Sequence, residues 1–141
     1  MKNPYAEYRK NLIENASREE LLLKLYEAAV NNVKQARQNW ADGMETVARE
    51  KLIRALDIVY ELDNTLDREQ GIEVVEHLEA LYAYLEREMT EVNLNGEPER
   101  LEPVQEVLET LYQGWREAVE QLQAAENPDK QHQQVASQQA G

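Results

Sequence analysis

His77 and His132 are the two histidines of a chain that has no cysteine, so metal binding and nucleophilic chemistry start with them. A dinuclear metal site inside a helical bundle needs Glu-x-x-His pairs pointing inward. His77 has Val74 three residues before it and Glu73 four before it, so the spacing fails. His132 falls in a glutamine-rich end segment expected to be disordered. No metal and no other cofactor is implied. Phosphoryl transfer on His77 is the second chemistry to weigh. Helical phosphotransfer domains typically follow the histidine with a lysine and small residues, whereas the run here is His77-Leu78-Glu79-Ala80-Leu81. Glu73, Glu76 and Glu79 crowd the same region and oppose added negative charge. A solvated histidine on a helix surface accounts for the pattern better.

Other catalytic chemistry has no candidate. Thiolate chemistry and disulfides are excluded without cysteine. The threonines are scattered, and Ser17 reads as a helix cap. There is no glycine-rich phosphate loop. The glutamates recur on outer helix faces and read as solvated surface rather than a paired acid and base. The residues point to no enzyme.

The elements that would position any site are helical. Ser17-Arg18-Glu19-Glu20 is a capping box, serine taking a free backbone N–H and Glu20 reaching back. A helix over about 18–40 follows, with Leu22, Leu25, Tyr26, Ala29, Val33, Ala36 and Trp40 as its apolar stripe. Gly43 ends it. A second helix, about 45–66, carries Leu52, Leu56, Val59, Leu62 and Leu66. Ile53, Ile58 and Tyr60 stand outside that stripe, so its apolar face is broad. After the polar turn 67–71, a third helix over about 72–93 carries Val74, Val75, Leu78, Leu81, Tyr82, Leu85, Met89 and Val92, with Tyr84 off the stripe. Gly96, Pro98 and Pro103 mark the next break. The fourth helix runs to about residue 124 through Val104, Leu108, Leu111, Trp115, Ala118 or Val119, and Leu122. Four amphipathic helices joined by short turns imply an all-α, antiparallel four-helix bundle.

The ends differ. Residues 1–16 form an N-terminal arm, in which Tyr5, Tyr8 and Leu12 share one side if Pro4 opens a helical turn. From Ala125 to Gly141 the chain is glutamine-rich with one valine, too poor in apolar surface to offset the entropy of ordering. The domains are therefore an arm (1–16), a bundle (17–124) and a disordered tail (125–141).

Composition narrows the partners. The 141 residues suit one domain, and 42% apolar content suffices for a sizeable core. A formal net charge of −13 disfavours nucleic acid, which needs a basic footprint, and an anionic membrane surface. No stretch approaches the length of a membrane span, and no apolar leader region opens the chain. A cytoplasmic location is the simplest expectation. What remains is protein binding, for which the broad faces of the second and third helices and the seven tyrosines are the informative features.

Several segments resemble the FliS family of flagellar export chaperones. Asn3-Pro4-Tyr5 with Tyr8 and Asn11 is similar to the family's opening. Asn15-Ala16-Ser17-Arg18, Glu20-Leu21 and Lys24-Leu25-Tyr26-Glu27-Ala28-Ala29 follow in the family's order. So do RALDIVYELDNTLD, HLEALYAYLEREMTEVN and VLETLYQGWREAV. The resemblance spans roughly residues 3–120. The chain departs from the family at Arg18 (for proline), Lys24 (for methionine), Ala28 (for glycine) and Val92 (for alanine). The glutamine-rich tail is outside the shared pattern.

The resemblance implies a cytoplasmic chaperone that binds the disordered C-terminal segment of flagellin, prevents premature polymerisation and assists type III export. It adds the export gate as a further partner. Ordering such a segment costs about 1–2 kcal/mol per residue in backbone entropy, which short helices laid in apolar grooves can offset. Ile53, Ile58, Tyr60, Tyr82 and Tyr84 are the candidate groove. Tyr5, Tyr8 and Leu12 are a candidate flagellin-binding or autoinhibitory arm. The alternative is a generic helical adaptor or self-associating bundle, with a weak homodimer as its mark; histidine phosphotransfer ranks below it.

Overall fold

A computed structural model describes residues 18–69 and 71–126. Within them the chain forms four α-helices: α1 (Arg18–Ala41), α2 (Glu45–Asn64), α3 (Ile72–Asn95) and α4 (Leu101–Glu126). A single 3-10 turn, Pro98–Arg100, leads into α4. Each helix packs on its neighbours in the order α1, α2, α3, α4, and α4 closes the ring on α1. This is the antiparallel four-helix bundle that the periodicity predicts. The Ser17 cap and residues 1–16 lie outside the described residues.

The connections follow local chemistry. Gly43 has φ +76° and turns the chain from α1 into α2. Gly96 has φ +69° and ends α3, its N–H donating to Val92 O at 2.8 Å. Both conformations are left-handed, where a Cβ is costly. Pro98 opens the 3-10 turn and Pro103 sits in the first turn of α4, positions where no intrahelical N–H bond is lost. α4 runs two residues past the expected start of the tail. Ala124, Ala125 and Glu126 are strong helix formers, and Pro128 disfavours helix in the residue before it.

The core is most of the stripe set, with additions, while Val74 and Leu122 of the expected stripes are 56% and 48% exposed. Val33, Ala36, Leu52, Val59, Leu85, Met89, Val92, Val104 and Leu108 are fully buried. Ala48, Ala55 and Leu101 join them, and Val119 rather than Ala118 faces inward on α4.

Packing is not uniform along the bundle axis. One end, where α1 and α3 finish and α2 and α4 begin, is closed by fully buried side chains. At the other, Leu22, Leu66, Leu78, Leu111 and Trp115 are only partly buried against the core. Val74 there is 56% exposed, and the neighbouring Ile72 is 78% exposed.

Candidate functional site

The incompletely filled end holds a cavity of about 470 Å³. Antiparallel packing brings four segments to it: the start of α1 (Leu22, Tyr26), the end of α2 with its following turn (Leu62, Leu66), the start of α3 (Val74, Leu78, Tyr82) and the middle of α4 (Leu111, Gly114, Trp115). Its walls are chiefly apolar. Arg18, Glu19 and Asp67 are its charged lining residues. An open apolar concavity with few polar groups is what a hydrophobic ligand segment requires.

Two of the buried lining residues are tyrosines that satisfy each other. Tyr26 and Tyr82 are 5% and 2% exposed, and their hydroxyls lie 2.5 Å apart. Burial pushes both phenols above the ordinary tyrosine value. They stay neutral, and neither hydroxyl is left unpaired. The Trp115 ring lies 6.4 Å from Tyr26, tilted by 47°. Trp115 Nε1 donates to Glu19 O at 2.8 Å, tying α4 to the first turn of α1. Thr65 Oγ1 donates to Leu62 O at 3.0 Å. The polar atoms of these aromatic and threonine side chains are thus engaged, which leaves apolar surface as what the cavity offers.

Of the groove residues expected from sequence, Tyr82 lines this cavity. Ile53 and Tyr60 are each 44% exposed on α2, away from it. Ile58 and Tyr84 are half-buried against the core, and Arg87 lies over the Tyr84 ring at 6.0 Å. The five do not converge on one surface of this cavity. Tyr5, Tyr8 and Leu12 lie outside the described residues. His77 is exposed on α3, beside Glu79, which Arg68 engages at 3.1 Å.

Leu22, Leu66, Leu78, Leu111 and Trp115 were legible as stripe residues but not as site residues. The missing signal was their position along the helices. In this antiparallel bundle the start of α1, the end of α2, the start of α3 and the middle of α4 meet at one end.

The molecule is therefore defined by an all-α bundle with an apolar cavity at one end. Among the described residues no group of histidine, aspartate and glutamate side chains is arranged to hold a metal ion, and no helix is long and apolar enough to cross a membrane. The family model described as "Flagellar protein FliS" matches residues 1–122, and the chain belongs to that family. It is similar to the flagellar secretion chaperone FliS of Bacillus subtilis strain 168, with 28% identity over 120 residues, 85% of this chain and 89% of that protein. Chaperones of the same name from Vibrio cholerae (27% identity, 71% of this chain, 74% of that protein) and Salmonella typhimurium (28% identity, 73% of this chain, 77% of that protein) are also similar. The family is one of flagellar secretion chaperones, not enzymes.

Proposed function

We propose that this chain is a cytoplasmic chaperone for flagellin. It binds the disordered C-terminal segment of flagellin, keeps it from polymerising prematurely and assists its type III export, with the export gate as a further partner. Family membership combined with the apolar cavity carries this reading. A binding protein for a disordered chain must replace lost backbone entropy with apolar contact. Burial contributes roughly 25 cal/mol per Å² of apolar surface. The partly exposed Leu22, Leu66, Leu78 and Trp115, with Val74 at the rim, supply such surface at one place.

The N-terminal arm completes the proposal. Tyr5, Tyr8 and Leu12 cover the cavity when flagellin is absent and are displaced when it binds. Support comes from where the arm joins the bundle: Arg18 and Glu19, the first described residues, line the cavity. An apolar patch left open invites unwanted association, so a weakly held cover has a purpose.

The test is a calorimetric titration of the full chain with the C-terminal segment of flagellin from the same organism. The expected result is a saturable one-to-one isotherm with a negative heat-capacity change, the mark of apolar burial. Absence of heat and of co-elution at high concentration overturns the reading.

A further inference from the structure

We propose that Gly114 is a notch in α4 across which the main chain of the bound partner segment lies directly against the helix. This rests on the reading that the cavity receives the flagellin segment.

Nothing within the chain calls for glycine at this position. Gly114 lies in the interior of the 26-residue helix α4, where glycine is the poorest helix former after proline. Its φ is not positive; Gly43 and Gly96 are the described glycines that need the left-handed region. A Cβ built on Gly114 meets nothing within 4 Å, so no neighbour demands a close approach. The residue is exposed. Helix stability is given up here with no return from the folded chain itself.

The surroundings show what the missing side chain leaves open. Gly114 lines the cavity between Leu111 and Trp115. It also lines a shallow depression on α4 with Glu106, Glu109, Thr110, Gln113 and Glu117. Thr110 and Gly114, one turn apart, line both hollows and are the part of α4 that lies between them. The Thr110 hydroxyl is turned back onto its own helix, donating to Glu106 O at 2.9 Å. A segment leaving the cavity over α4 crosses at this low point. There it meets bare backbone and can approach more closely than any side chain would allow. Glu106, Glu109 and Glu117 flank the crossing, so the stretch that crosses is apolar, polar or basic rather than acidic.

Three full-length chains decide it: wild type, Gly114→Ala and Gly114→Leu. Each is melted alone and titrated with the C-terminal flagellin segment of the same organism. Alanine and leucine are both strong helix formers, so both variants are expected to melt roughly 3 °C above wild type. Binding is expected to weaken with side-chain size, severalfold for alanine and at least about tenfold for leucine. Wild-type affinity in both variants overturns the proposal. Equal weakening by the two also overturns it, because that pattern follows helix propensity rather than space. A melting temperature below wild type overturns its premise that the notch is vacant. A wild-type chain that binds no segment removes the partner reading itself, a failure recognisable without either variant.

Discussion

Glu86 on α3 is a carboxyl whose chemistry its surroundings alter within the physiological pH range. Its Oε1 is buried without a partner, and Asp63 of α2 is the acidic neighbour that acts on its carboxyl. Burial first, then the proximity and charge of Asp63, raise the carboxyl from 4.5 to about 7. Arg68, in the turn between α2 and α3, reaches Asp63 at 3.7 Å and Glu79 at 3.1 Å. It is 56% exposed, and so relieves the pair little. Between 4.5 and about 7 the folded chain keeps a proton that the unfolded chain has released. Stability therefore falls as pH rises through this window. The contribution is complete below 4.5 and gone above about 7. Glu86→Gln keeps the size and a donor but removes the charge. It is expected to melt above wild type at about pH 8 and to converge with wild type near about pH 5. A gap of the same size at both pH values in thermal melts contradicts this account.

At the scale of elements, helix ends decide how the bundle closes. Gly96 holds the left-handed C-cap of α3, and a Cβ there would sit 3.1 Å from Arg49 Nη2 and 3.5 Å from Glu45 Oε1. Arg49 bonds to Glu45 Oε1 at 2.7 Å and to Asn93 O, and so links the start of α2 to the end of α3. Gly43 has the same conformation with nothing within 4 Å. Gly43→Ala is expected to cost about 1 kcal/mol from conformation alone. Gly96→Ala is expected to cost about 1–2 kcal/mol, because Arg49 must also move. Equal losses in denaturant titrations would mean that Arg49 adjusts freely. These turns were legible because glycine after a helical stripe has one common use. The stripes were legible for a similar reason: Leu52, Val59, Leu85 and Leu108 recur at the helical period, and the period alone selects the buried face. Contacts between helices were not. Tyr26 meets Tyr82 across 56 residues and Trp115 meets Glu19 across 96, and no local pattern encodes either pairing. Of the candidate groove residues, Tyr82 is a stripe residue and lines the cavity, whereas Ile53 and Tyr60 lie off the stripe and do not line it. The cavity is lined by stripe residues from the start of α1, the end of α2, α3 and the middle of α4, several of them only partly buried.

For the whole molecule, the question is whether an arm over residues 1–16 can compete with the proposed flagellin segment for that cavity. Reach is no obstacle. Tyr8 precedes Arg18 by ten residues, which span up to roughly 33 Å when extended, and Arg18 itself lines the cavity. Energetics decide the strength of the contact. Burying two tyrosine side chains contributes roughly 3–6 kcal/mol together. Ordering the chain that carries them costs about 1–2 kcal/mol per residue, which cancels most or all of that gain. On the proposed reading, such an arm would be held weakly. A longer segment that fills the cavity and continues across α4 gains contacts the arm lacks. Under this competition, a chain carrying Tyr5→Ala and Tyr8→Ala binds the flagellin segment more tightly than wild type. The expected gain is severalfold, approaching tenfold if about 1.4 kcal/mol of docking is removed. The same double variant is expected to bind a hydrophobic dye more strongly before flagellin is added, because the cavity is uncovered. Unchanged or weaker flagellin affinity in parallel titrations removes the arm from the role of competitor. It would then be a fixed part of the bundle or of the partner's clamp.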